Sequence, residues 1–168
     1  WFHQQNLERA ADLNLLWWSV LTAPLSVERQ RHLDERLELP ENIVRKAPAT
    51  INHAQKLLRQ LTEQPPSLLS HLARMLRGES TETLLTTAVF AVQEENRRAI
   101  FRFLTELEQI KPSIDGNDLK KLGIAPGPLF SHILETIRDE KIDGAISSKV
   151  EELELADSLR QVKKPESV

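Results

Sequence analysis

Apolar residues recur at intervals of three and four along most of this chain, and no run of four to eight residues alternates as a half-buried strand does. Leu, Glu, Arg, Ala and Gln dominate, and glycine is scarce, with 5 in 168 residues. Intrinsic propensity and periodicity therefore agree. They predict an all-α fold, a multi-helical array of roughly nine or ten short helices with no sheet.

Residues 7–21 place Leu7, Ala10, Ala11, Leu15, Trp18 and Leu21 on one helix face, and Pro24 ends it. Ser26 can cap a second helix through Leu37, with Leu33 and Leu37 turned inward. Pro40 and Pro48 bracket a short helix around Ile43 and Val44, and Thr50 can cap another carrying Ile51, Ala54, Leu57, Leu58 and Leu61. After Pro65-Pro66, Ser67 opens a helix with Leu68, Leu72 and Leu76 that Gly78 stops. Ser80 caps the next, with Leu84, Leu85, Ala88 and Ala91, and a further pattern over 94–110 carries Ile100, Phe101, Leu104 and Leu107. From Lys111 the texture changes. Three of the five glycines and three of the nine prolines fall between Pro112 and Pro128. Helical patterns resume over 129–142 and 150–162, with Ser148 and Glu151 at capping-box spacing, and 161–168 reads as a frayed tail. The expected division is a helical region over 1–110 and a second over 111–168.

Composition excludes more than it assigns. The chain has no cysteine, which removes disulfides and thiolate metal sites. No apolar run is long enough to span a bilayer, and no basic segment followed by an apolar one marks a signal peptide. The formal net charge is −3, and neither half carries the positive excess of an obvious nucleic-acid binder. Met75 is the one methionine and the chain begins Trp1-Phe2-His3, so a piece of a longer protein is expected.

Catalytic signatures are missing: no G-x-S-x-G, no phosphate loop, no G-x-G-x-x-G. His3, His32, His53, His71 and His132 are scattered, with no pair at helical ligand spacing. The doublets Glu94-Glu95, Asp139-Glu140 and Glu151-Glu152 read as solvated helix faces and not as a metal site, because neighbours on a helix diverge by about 100° and do not converge on one ion. Asp115-Gly116-Asn117-Asp118 lacks calcium-loop spacing and reads as a cap and turn. Trp17-Trp18 predicts one indole toward the core and the other near the surface, as packing or as contact with a neighbouring part.

The bend over 110–129 has a physical reading of its own. Asp115 or Asn117 caps a short helix through Leu122, Gly123 supplies the positive φ that ends it, and Ile124 tucks in after the cap. Pro126-Gly127-Pro128 then starts another helix. Its N-terminus offers backbone N–H groups and partial positive charge, with Lys111, Lys120, Lys121 and His132 close in sequence. Two readings stand: a grip on a nucleic-acid backbone, or a structural turn.

The string Lys111-Pro112, Gly116-x-Asp118-Leu119, Leu122-Gly123-Ile124, Pro126-Gly127-Pro128 and Ile133-Leu134, followed by Asp143-Gly144 and Glu151-Glu152-Leu153, resembles the C-terminal region of class II tRNA nucleotidyltransferases. These are the bacterial-type CCA-adding and A-adding enzymes and related poly(A) polymerases. The resemblance covers about 111–159. Upstream, Leu33-x-x-Arg36-Leu37 and the helix with Asn96-Arg97-Arg98 resemble the family's neck and body more loosely.

The resemblance implies a fragment that holds tRNA through sugar-phosphate contacts, with chemistry in an absent N-terminal catalytic head. The family's head uses an Asp-x-Asp pair for magnesium, and this chain has none. No cofactor is expected in this chain, since Mg and ATP or CTP belong to the head. The residues expected to approach phosphate are Lys111, Lys120, Lys121, Gly127, His132, Arg97, Arg98 and Arg102. The expected partners are tRNA, the head and a homodimer mate, in the cytoplasm and without a membrane. The competing expectation is a helical protein–protein interaction or oligomerisation domain.

Overall fold

The computed structural model describes residues 11–162. All regular structure among them is helical: α1 Leu13–Thr22, α2 Val27–Arg36, α3 Glu41–Glu63, α4 Leu69–Leu76, α5 Thr81–Phe90, α6 Glu94–Thr105, α7 Gly116–Lys121, α8 Pro128–Ile142 and α9 Lys149–Val162. A 3₁₀ turn at Leu107–Gln109 follows α6. Leu7, Ala10 and the tail beyond Val162 lie outside the described residues. No helix among the described residues is long and apolar enough to cross a membrane.

Local caps set most boundaries. Asp12, Ser26 and Ser80 each accept the N–H three residues on, at Leu15, Arg29 and Thr83. Ser148 accepts the Glu151 N–H while the Glu151 carboxylate receives the N–H groups of Ser147 and Ser148, both at 2.8 Å. Those bonds, Ser147's foremost, hold the Glu151 carboxyl down at about 2.

The chain forms two compact units that do not follow chain order. The first runs to Pro66 and resumes over Leu76–Thr105; the second joins Ser67–Met75 to the residues from Glu106 on.

In the first unit α3 packs against α1, α5 and α6, and α5 against α1 and α6. Here α3 corrects the sequence reading: one helix of 23 residues runs straight through Pro48. Pro48 has no N–H for the Val44 carbonyl. The helix continues because Ile43, Ala47, Thr50, Ala54, Leu57 and Leu61 form one buried face on both sides of the proline. That burial outweighs a single lost bond and about 3 kcal/mol of proline cost. Two other faces also differ from expectation. On α1 the buried residues are Leu15, Leu16, Ser19 and Thr22, whereas Leu21 is 65% exposed. On α2 the buried residues are Gln30 and Asp34, whereas Leu37 is exposed. Asp34 is drawn in by Trp18, whose indole Nε1 donates to it at 2.8 Å. Trp17 stays exposed, so the two indoles divide as their adjacency predicts.

In the second unit Ile114, Leu119, Ile124, Ile133, Ile137 and Ala156 form the interior, and α8 packs on α9. Polar ties surround it. Asp143 accepts the Ser70 N–H at 2.9 Å and its hydroxyl at 2.5 Å. The Arg74 guanidinium donates to Asp139 through Nε and Nη2, and this bond raises the affinity of Arg74 for its proton. Asp139 and Glu152, expected on solvated faces, are buried. Each has a cation or N–H partner far away in sequence, which no doublet spacing reveals. Glu94 behaves as expected, exposed and bonded to Arg97 and Arg98.

Candidate nucleic-acid interface

The glycine- and proline-rich bend is built by two caps. Asp115 accepts the N–H of Asn117 at 2.8 Å and of Asp118 at 3.1 Å, and the Asp118 carboxylate returns to the Asp115 N–H. This is the capping box of α7. At the other end the Gly123 N–H donates to Lys120 and the Ile124 N–H to Leu119, with Gly123 at φ +76°. That is a Schellman ending, and Ile124 and Leu119 meet in the interior as its apolar contact. Arg160 secures the same end, its Nη1 donating to the Leu122 carbonyl at 2.6 Å.

Ala125, Pro126, Gly127 and Pro128 are all exposed, so the bend faces solvent. The start of α8 has Pro128 at its first position and no side-chain cap. It offers fewer donors than the sequence suggests. Pro128 has no N–H, and the Phe130 N–H turns back to the Gly127 carbonyl at 2.9 Å. Gly127 lies in extended backbone at φ 162°, and a Cβ there would meet nothing within 4 Å. Gly116 is closer to a neighbour, with the Phe130 ring 3.4 Å from where its Cβ would stand.

Lys111, Lys120, Lys121 and His132 are exposed in the second unit. Lys121 stands 3.5 Å from Asp118, and Lys149 reaches the same carboxylate at 2.9 Å. The Lys149 bond is the main reason the Asp118 carboxyl is lowered, and Asp118 in turn raises Lys149. Lys149 thus joins the lysines of α7 from 28 residues beyond Lys121, a proximity without a sequence signal. Among the described residues Lys120 has no carboxylate partner. Arg97, Arg98 and Arg102 belong to the first unit. Arg97 is engaged by Glu94 at 3.1 Å and by the Ala91 carbonyl at 2.9 Å, and Arg98 by Glu94 at 3.1 Å. Arg102 is exposed near the end of α6. No three His, Asp or Glu side chains among the described residues gather as a metal cluster would require.

No family model matches the chain. No solved structure matches it either. It is similar to an A-adding tRNA nucleotidyltransferase of Geobacter sulfurreducens, 27% identical over 160 residues, which are 93% of this chain and 18% of that protein. It is also similar to an A-adding tRNA nucleotidyltransferase of Halalkalibacterium halodurans, 26% identical over 115 residues, 68% of this chain and 27% of that protein. The chain therefore spans less than a third of either curated relative, and its similarity is to a part of tRNA nucleotidyltransferases of the A-adding kind.

Proposed function

We propose that this chain is the tRNA-holding C-terminal region of a tRNA nucleotidyltransferase, working in the cytoplasm with a catalytic head that lies outside these 168 residues. The observation that carries the reading is the similarity to A-adding tRNA nucleotidyltransferases over 93% of the chain. The relatives' names favour addition of A over addition of CCA. The absence of any Asp-x-Asp pair in the sequence supports assigning Mg and ATP or CTP to the head.

In this role Lys111, Lys120 and Lys121 neutralise phosphates, the open backbone at Gly127 admits one, and His132 adds a donor from the first turns of α8. Arg97, Arg98 and Arg102 would serve the same purpose from α6. Recognition of structured RNA by shape suits such a surface, because side chains cannot read the deep groove of an A-form helix.

A filter-binding salt titration with a tRNA transcript tests this. The expected outcome is that the chain binds tRNA and adds no nucleotide when given ATP, CTP and magnesium. Lys120→Ala with Lys121→Ala lowers the slope of log K against log salt by about one to two units. An unchanged slope removes these lysines from the interface.

A second reading has its own observation. Trp17 and Leu21, one turn apart on α1, are 62% and 65% exposed. Such a pair suits an interaction or self-association face. Sedimentation separates the readings, since a stable dimer indifferent to tRNA favours assembly.

A further inference from the structure

Between Glu41 and Glu63, at its two ends, α3 carries no acidic residue, yet it holds Arg45, Lys46, His53, Lys56 and Arg59. In a chain with 28% charged residues and a net charge of −3 this is a marked segregation. The helix period sorts these cations further. Arg45, Ala49, Asn52, Lys56 and Arg59 follow one another at steps of four, three, four and three, directly opposite the buried face of Ile43, Ala47, Ala54 and Leu61. All five are exposed. Among the described residues none of Arg45, Lys46, Lys56 and Arg59 lies within ion-pair distance of a carboxylate. His53 does, at 3.4 Å from Glu79, in a cleft of about 670 Å³ that Arg45, Lys46 and Ala49 also line opposite Asp12 and Glu82, so acids flank the Arg45 end of the row.

We propose that this face of α3, centred on Arg45, Lys56 and Arg59, docks the sugar-phosphate backbone of RNA. The inference rests on the reading of the chain as a tRNA-holding region and adds a surface to it, in the first compact unit. From Arg45 to Arg59 the helix rises about 21 Å, a length over which an RNA strand presents several phosphate charges. Ala49 leaves the centre low, and Asn52 and Gln60 supply amides suited to sugar hydroxyls. A membrane surface fits poorly. A helix that inserts into a bilayer surface keeps large apolar side chains outward, whereas Ile43, Ile51, Leu57 and Leu61 of α3 are turned into the core.

The test compares the whole chain with R45Q/K56Q/R59Q and with R29Q/R31Q/R36Q, which removes three exposed cations from α2. Fluorescence anisotropy of a labelled tRNA transcript is followed from about 50 to about 200 mM salt, with circular dichroism to verify the helical fold of each variant. The α3 variant lowers the salt slope by about two units and weakens binding about a hundredfold at ~0.1 M salt. The α2 variant weakens it less than tenfold. The inference is overturned if the α3 variant binds within twofold of the parent, if both variants lose equally, or if polyglutamate competes as well as tRNA. Failure of the parent chain to bind tRNA removes the tRNA-holding reading as well, a result distinct from the other three.

Discussion

The Lys141 ammonium meets the Glu152 carboxylate at 2.7 Å, and Glu152 has no solvent exposure at all. The same carboxylate accepts the N–H of Ser113 at 2.6 Å and of Ile114 at 3.0 Å. Burial pushes its proton affinity up. Lys141 and the two N–H groups more than reverse this, so the carboxyl lies below its ordinary range. One side chain thus ties α9 to α8 and to the segment leading into α7. Glu152→Ala strands two N–H groups and an ammonium that is 22% exposed. A loss of about 3 kcal/mol is expected by urea unfolding. Glu152→Gln, which keeps an acceptor for the N–H groups, loses less. Equal stability of the Ala variant and the parent would refute the tie.

Acid sensitivity follows from Glu151, Glu152 and Asp118, all of which are lowered. A carboxyl with a depressed folded-state pKa stabilises the fold fully above its unfolded value, near 4.3 for Glu. That stabilisation is lost as pH falls toward the folded value, about 2 for Glu151. Thermal midpoints therefore fall between about pH 5 and about pH 2. Glu151→Gln flattens this acid limb while lowering the midpoint at neutral pH. A variant whose midpoint falls with acid as steeply as the parent's contradicts the assignment.

What was legible in the sequence was local. Ser26, Ser80, Asp115 and Ser148 cap helices because the partner N–H is three residues away, and Gly123 ends α7 for a reason intrinsic to glycine. What was illegible depends on distant partners. Asp139 is buried because Arg74 stands beside it, and Asp34 because Trp18 does. Pro48 sits inside a helix because apolar contacts on both sides outweigh its local preference. The candidate interface shows the same split. The exposed bend follows from its own residues, while the pairing of Lys149 with Asp118 needs the two helices to meet. The acid-free run of α3 was present in the sequence but hidden by a near-neutral total charge.

Two glycines of the bend make opposite predictions. Gly123 has φ +76°, where an added Cβ is strained whatever the space around it. Gly123→Ala costs about 1 kcal/mol by urea or thermal unfolding. Gly127 is extended and its Cβ position is open, so Gly127→Ala leaves stability within about 0.5 kcal/mol. A loss of tRNA affinity in Gly127→Ala then reports close approach of a ligand and not a damaged fold. Intact affinity removes Gly127 from the proposed contacts.

Glu38 occupies, at the end of α2, the place that Gly123 occupies at the end of α7. Its N–H donates to Glu35 at 3.4 Å and the Leu39 N–H donates to Asp34 at 3.3 Å, the same Schellman pattern. Yet its φ is +50°, and it is the one non-glycine residue with positive φ among those described. Its side chain is exposed, so little packing is given up when it is removed. Relief of the left-handed strain competes with the added freedom that glycine gives the unfolded chain. At a left-handed position the strain term is the larger, at about 1–2 kcal/mol. Glu38→Gly is therefore expected to stabilise the chain by about 0.5–1 kcal/mol, read as a higher urea midpoint with an unchanged slope. A lower midpoint would mean that the α2 end relaxes to another conformation in solution and that its carbonyls are capped some other way.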